Sequence, residues 1–267
     1  MCLLVTIPSC APTLRVPSLH EGPHKTSETP LPSAILHVEN DRTAFASAPP
    51  EEIVKNRQYI IVEGVIGAGK TTLARMLSER LDSRLILEQH EQNPFLVDFY
   101  HDPQHYAFQT ELFFLLSRYR QQTEEIVQTD LFQQYLIADY HFVKNRIFAS
   151  ITLDEREWKL YDMLISILER DVTTPDLVVY LQSNTQRLMR NIRIRDREYE
   201  RAMNPNYIGE LVEAYNHYFF RYDASPLLVV NANDLDFVRN EAQFEDLFQR
   251  ILNAPDGTTY YNPVTGG

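Results

Sequence analysis

From Tyr59 onward, apolar positions fall into short continuous runs separated by stretches in which they recur every three or four residues. Tyr59 to Glu63 (YIIVE), Arg84 to Glu88 (RLILE), Tyr135 to Asp139 (YLIAD), Leu177 to Leu181 (LVVYL) and Leu227 to Val230 (LLVV) have the length and content of strands. Helical spacing predicts helices over about 71–81, 107–127, 155–170 and 207–222, with an Arg-rich helix between the fourth and fifth strands. Phe108, Leu112, Leu115, Leu116 and Tyr119 line the second of these, and Trp158, Tyr161, Ile165 and Leu168 the third. Strands that are apolar throughout are covered on both faces. The alternation therefore predicts an α/β fold with a five-stranded parallel sheet, carrying Ile61, Ile86, Ile137, Val179 and Val229, and helices on both sides. In such sheets ligands bind beyond the carboxyl ends of the strands.

The flanks read differently. Pro8, Pro12, Pro17, Pro23, Pro30, Pro32, Pro49 and Pro50 interrupt every period in the first fifty residues, and Ser and Thr fill the gaps. Residues 1–55 are expected to be a disordered extension: a tail, a targeting segment, or the product of a start codon placed too far upstream. Residues 56–253 are expected to form one catalytic domain, and 254–267, with Pro, Gly and Thr, a flexible tail. The 267-residue chain is 44% hydrophobic, ordinary for one sizeable core. Its formal charge of −12 repels a phosphate backbone, which argues against nucleic acid as a partner. No apolar run approaches the ~20 residues of a membrane span. The only cysteines are Cys2 and Cys10, so no thiolate metal site is expected in the folded part, which fits a reducing, cytoplasmic setting.

Gly64-Val65-Ile66-Gly67-Ala68-Gly69-Lys70-Thr71 fits G-x-x-x-x-G-K-[ST] in full, between a predicted strand and a predicted helix. Glycines let backbone N–H groups turn inward around phosphate oxygens. The helix N-terminus adds partial positive charge, Lys70 reaches the β- and γ-phosphates, and Thr71 offers a hydroxyl to Mg²⁺. The expected ligands are thus ATP and Mg²⁺. Asp139, ending YLIAD, stands where such proteins hold that ion. Glu88, ending RLILE, is placed to take a proton from an attacking hydroxyl, although Glu91 is near enough to serve instead. Arg190, Arg193, Arg197 and Arg201 are three, four and four apart, which predicts one shared helical face; Arg187 and Arg195 add to its density. Guanidinium forks suit transferring phosphate oxygens, while the blander reading is a solvated face paired with Glu198 and Glu200.

Taken together, EGVIGAGKTT (63–72), EQHEQNPF (88–95), FYHDPQHYAFQTE (99–111), LSRYR (116–120), ADYHFVKNRIFA (138–149), RIRDREYE (193–200) and NDLDF (233–237) resemble the deoxyribonucleoside kinase family, its bacterial purine-nucleoside branch above all. The resemblance implies the P-loop kinase fold with an Arg-rich lid, and transfer of the γ-phosphate of ATP to a deoxynucleoside 5′-hydroxyl in nucleotide salvage. It makes Glu88 the base, Asp139 and Thr71 the Mg²⁺ partners, and Lys70, Arg195 and Arg197 the catalytic cations. Residues 64–72 with Arg193, Asp236 and Phe237 would hold ATP, the last two beside its adenine. Tyr100 and Glu200 would bind the sugar 3′-hydroxyl, and Arg118, with Glu111 and Asn145, the base. It also implies a homodimer, for which the helices at 107–127 and 155–170 carry more Phe, Leu, Tyr and Trp than one buried stripe requires.

Some positions depart from the family pattern. Tyr140 stands where Arg is frequent after the strand-end acid, which removes a phosphate-side cation. Glu111 replaces a common Gln, Asn145 a common Asp, Asn191 a frequent Arg and Asp196 a Gly. A carboxylate at 111 only accepts hydrogen bonds, which favours a purine substrate in the order guanine, adenine, then cytosine as the smaller alternative. Two other readings are a nucleotide kinase such as thymidylate kinase and a non-catalytic assembly subunit. The first would need cations around the acceptor, where this chain has Glu88, Tyr100 and Glu111; against the second stand the intact Lys70, Thr71, Glu88 and Asp139. The guanine-reading N-K-x-D of a GTPase is absent.

Overall fold

The computed structural model describes residues 58–126, 134–201 and 203–263. The expected extension, with Cys2 and Cys10, lies outside the described residues, as do Val127 and residues 264–267.

The strands are β1 (Tyr59–Gly64), β2 (Arg84–Ile86), β3 (Leu136–Ala138), β4 (Leu177–Gln182), β5 (Leu227–Asn231) and β6 (Thr258–Tyr261), all parallel, in the order β2-β3-β1-β4-β5-β6. The helices are α1 (Lys70–Leu81), α2 (Leu96–His101), α3 (Pro103–Gln121), α4 (Lys144–Thr152), α5 (Glu155–Leu168), α6 (Thr185–Arg195), α7 (Pro205–Phe219) and α8 (Glu241–Leu252). β1 and β4 are buried along nearly their whole length, as strands covered on both faces must be. The sheet has six strands where five were expected. The sixth, within the stretch read as a tail, pairs Leu227 with Thr258 through Val230 with Tyr261. It is an edge strand with one buried residue, Tyr261, so it lacks the apolar run that marks the others.

α1 packs Leu73, Ala74 and Leu77, all fully buried, into the central core. Each such leucine contributes roughly 1.5–3 kcal/mol over an exposed position. The strand order positions the site. β3 inserts beside β1, with Ile61 against Ala138, so the loop after β1 and the acid after β3 leave the same edge side by side.

Candidate active site

The loop after β1 gets its shape from backbone conformations that favour glycine. Gly67 has φ 86° and Gly69 φ 96°, and a Cβ on Gly67 would lie 2.8 Å from the Leu188 carbonyl oxygen. α1 then starts with no side-chain cap and no acid in its first turn, which leaves its N–H groups and dipole available to an anion. Lys70 Nζ donates to the carbonyls of Gly64 (2.8 Å) and Val65 (3.2 Å). Burial first, then the charge of Lys144, brings the Lys70 ammonium down to about 8.

Asp139 joins this loop to the neighbouring strand end. Its Oδ2 accepts the Thr71 hydroxyl at 2.5 Å and its Oδ1 the backbone N–H of Glu88 at 2.7 Å. Glu88 itself is held between two cations. Arg118 donates to Oε1 from Nε (2.8 Å) and Nη2 (2.5 Å), and Lys144 Nζ donates to Oε2 at 2.6 Å. Burial alone would raise the Glu88 carboxyl, but Lys144 and Arg118 overcome it and hold it well below the usual carboxylate range. Arg118 is fixed in turn: Nη1 donates to Asn145 Oδ1, whose amide donates to the Phe142 carbonyl (2.9 Å), and the guanidinium lies 4.7 Å from the Phe114 ring centre.

Above Glu88 opens a cavity walled by Phe114, Phe148 and Tyr207, apolar side walls over a polar floor as in small-molecule sites. Tyr100, stacked 6.0 Å from Tyr199, borders it. So does Glu200, whose carboxylate accepts from Arg195 Nη2 (2.6 Å) and Nε (3.1 Å). Glu111 is 2% exposed, and its Oε2 has no hydrogen-bond partner among the described residues, while Oε1 accepts the Thr152 hydroxyl at 3.3 Å. Burial, only partly offset by Arg118, pushes the Glu111 carboxyl up to about 7. A raised carboxyl contributes stability that is full below its ordinary value and is lost as pH rises through 7. Glu111→Gln is therefore expected to flatten the melting temperature between pH 5 and 8, gaining up to about 3 kcal/mol over the parent at pH 8. Parallel melting curves for the two chains would contradict the neutral carboxyl.

A second cleft adjoins the phosphate loop and is bordered by Gly67 to Thr72, Arg187, Asn191, Arg195, Arg197, Asp236 and Phe237. Phe237 reaches within 3.3 Å of the Cβ position of Gly69, and Asp236 Oδ1 accepts the Arg239 N–H at 3.1 Å. Asn191 Nδ2 donates to the Gly67 carbonyl at 2.8 Å, tying α6 to the loop. The four-arginine face is not one helical face. α6 stops at Arg195 because Asp196 turns left-handed (φ 49°), a conformation Asp tolerates better than most residues. Arg201 then folds back to pair with Asp196 at 2.8 and 3.0 Å. Arg195 and Arg197 border both cavities. Arg193 borders neither; it lines a neighbouring hollow with Met189 and Met203, which Arg197 and Glu200 also border.

The structure thus brings Lys70, Thr71, Glu88, Tyr100, Glu111, Arg118, Asp139, Arg195, Arg197 and Glu200 around one cavity. Asn145 stands behind Arg118 rather than on the cavity wall. Tyr140 is fully buried, and its hydroxyl has no partner among the described residues. Lys144 was missed. Its sequence signal is faint, one lysine at the start of an amphipathic helix, where solvent exposure is the usual outcome.

The Deoxynucleoside kinase family profile matches residues 60–254. Among curated proteins, the chain is 36% identical over 197 residues to a deoxyguanosine kinase of Bacillus subtilis (72% of this chain, 95% of that one). It is 30% identical over 219 residues to a deoxyadenosine kinase of Dictyostelium discoideum (78% and 86%). A solved deoxyadenosine kinase from M. mycoides with bound dATP aligns with a TM-score of 0.63 at 24% identity, covering 72% of this chain and 97% of that one, a likeness of fold.

Proposed function

The chain belongs to the deoxynucleoside kinase family, and from that premise we propose that it transfers the γ-phosphate of ATP to the 5′-hydroxyl of a purine deoxynucleoside, deoxyguanosine first. One observation carries the reading. Asp139 touches Thr71 of the phosphate loop with one oxygen and the Glu88 backbone with the other, so the donor side and the acceptor-side carboxylate are a single hydrogen-bonded unit. Residues 56–253 form the catalytic domain in this reading.

Glu88, at the floor of the acceptor cavity, takes the 5′-hydroxyl proton. Lys70, Arg195 and Arg197 hold the charge spread over the transferring phosphoryl oxygens. Thr71 and Asp139 are hard oxygen donors 2.5 Å apart, which fits Mg²⁺, an ion that keeps few protein ligands and takes the rest from phosphates and water; bound there it would neutralise charge at the β- and γ-oxygens. Tyr100 and Glu200 receive the sugar, and Asp236 and Phe237 flank the ATP adenine.

Glu111 supports the base assignment. Ionised, the form it takes above about 7 or when two donors meet it, its carboxylate with the open Oε2 suits guanine, whose N1–H and N2–H₂ are adjacent donors; adenine offers only its N6 amine on that edge. Arg118 is committed to Glu88 and Asn145, which leaves Glu111 as the main reader. The test is kcat/KM for deoxyguanosine, deoxyadenosine, deoxycytidine and thymidine with ATP, in the parent and in Glu111→Gln, with thymidylate as the competing acceptor. The expected result is deoxyguanosine first in the parent and a shift toward adenine or cytosine of tenfold or more in the variant, the scale of about 1–3 kcal/mol for an unpaired buried donor. Preference for thymidylate would overturn the function. An unchanged ranking in the variant would remove Glu111 from base reading.

The protein acts as a homodimer in this proposal. Leu116 on α3 (54% exposed), with Met163 (61%) and Ile167 (60%) on α5, form apolar surface on the two helices singled out from the sequence. Sedimentation at micromolar concentration should give twice the 31.2 kDa chain mass, and Met163→Glu with Ile167→Glu should give the monomer; a monomeric parent would exclude this face. No helix among the described residues is long and apolar enough to cross a membrane, and a cytoplasmic setting with small-molecule partners remains part of the proposal.

A further inference from the structure

Position 140 supplies no cation to the site. Tyr140 turns into the core, while Lys144, the first residue of α4, brings an ammonium to Glu88. Lys144 is 5% exposed, and its Nζ has one hydrogen-bond acceptor among the described residues, Glu88 Oε2 at 2.6 Å. It lies 5.4 Å from the Phe148 ring centre and borders the acceptor cavity together with Lys70, Thr71 and Asp139. Its charge lowers both the Glu88 carboxyl and the Lys70 ammonium.

The two cations on Glu88 are not equivalent. Arg118 is anchored three ways, to Glu88 Oε1, to Asn145 and over the Phe114 ring. Lys144 sits on a flexible four-carbon stem, with Glu88 as its single hydrogen-bond acceptor among the described residues and the Phe148 ring 5.4 Å away. Of the two cations that border the cavity with Glu88, the lysine is the one with fewer hydrogen bonds to give up to an incoming hydroxyl.

Resting on the kinase reading above, we propose that Lys144 is a further catalytic residue: it yields Glu88 Oε2 to the nucleoside 5′-hydroxyl and turns its ammonium to the transferring phosphoryl oxygens, supplying from α4 the cation that residue 140 lacks. In that step the hydroxyl proton passes to Glu88 Oε2. The bond from O5′ to the γ-phosphorus forms, and the bond from that phosphorus to the β,γ-bridging oxygen breaks, its electron pair leaving with ADP. The products are the nucleoside 5′-monophosphate and ADP, and Lys144 neither gains nor loses an atom. Its ammonium is spent only on the charge that grows in the transition state, so it raises kcat more than it tightens binding.

The test compares the parent, Lys144→Met and Lys144→Arg in the full chain. The readouts are steady-state kinetics with ATP and deoxyguanosine, calorimetric titration with deoxyguanosine alone, and thermal melting. Lys144→Met is expected to lower kcat by about 10²–10³, the usual cost of one charge-stabilising donor, while nucleoside affinity changes less than tenfold. Lys144→Arg is expected to return kcat to within about tenfold of the parent, because the guanidinium restores the charge. A Lys144→Met chain with near-parent kcat overturns the inference, as does one whose kcat and nucleoside affinity fall together, or an arginine variant as slow as the methionine one. If Lys144→Met fails to fold, the arginine variant decides, since a counter-ion to Glu88 alone would leave it folded but with kcat depressed as far as its KM is raised. A parent chain inactive on every deoxynucleoside overturns the function and this inference together; an active parent with an unaffected Lys144→Met overturns the inference alone.

Discussion

A chain carrying Lys70→Ala should fold as the parent does and lose phosphoryl transfer by at least about 10³-fold, the upper range for removing one charge-stabilising donor. The two halves of that expectation have separate causes. The loop's shape rests on the left-handed Gly67 and Gly69 and on the Ala68 N–H donating to the Val65 carbonyl at 3.0 Å, none of which involves the lysine side chain. Its ammonium contributes only two hydrogen bonds to loop carbonyls, of about 1 kcal/mol net each. What the chain cannot replace is the cation that the loop itself sets beside the β- and γ-phosphates, because in this reading Arg195 and Arg197 reach the transferring group from the end of α6 and Lys144 from α4, each with its own share of the charge. Turnover by a coupled ADP assay, read beside circular-dichroism melting, checks both halves. Turnover within tenfold of the parent would mean that Lys70 does not hold the transferring group.

The second large effect is expected at Glu88. Glu88→Gln should lower kcat by about 10²–10⁴, the worth of a positioned base, with little change in ATP affinity. The structure adds a cost in stability. Glutamine carries no charge, so Arg118 and Lys144, 3% and 5% exposed, would be left without their shared anion, and breaking a buried ion pair costs about 3–5 kcal/mol. A fall in melting temperature should therefore accompany the fall in kcat. Glu88→Asp separates the two effects. It keeps the charge between the cations while drawing the carboxylate back by one methylene, and should retain most of the stability yet still lose turnover. If both variants turned over near the parent rate, the base assignment would pass to Glu91, whose side chain is 77% exposed.

The core strands were legible because each is an apolar run with nowhere to go but a buried sheet, and the phosphate loop because its glycines follow one such run. β6 was not. Thr258, Thr259 and Tyr260 leave an edge strand half in solvent, and residues of that kind read as a tail. The arginine stripe misled because spacing assumes a continuous helix, whereas the left-handed turn at Asp196 is a backbone choice that no spacing reports. Asn145 could be assigned to the base from its position in a motif, but its amide is spent on the Phe142 carbonyl and on Arg118, contacts that only the fold brings about. Lys144 is the clearest case. A lysine at a helix start is ordinarily solvated, and what buries this one is the strand order, which brings the β3 edge and α4 against the end of β2. Glu88 and Lys144 are 56 residues apart in sequence and 2.6 Å apart in space.

α6 is held against the phosphate loop by the Asn191 amide on the Gly67 carbonyl, and Gly67 leaves no room for even a Cβ before the Leu188 carbonyl. Loop and helix are in consequence one mechanical part. In the reading proposed above, the triphosphate and the arginine at the end of α6 would keep a fixed spacing whichever nucleotide base is attached, and discrimination among donors would fall to the wall at Asp236 and Phe237. An altered donor preference is to be sought there, and mutational tolerance at Gly67 should be the narrowest in the cleft.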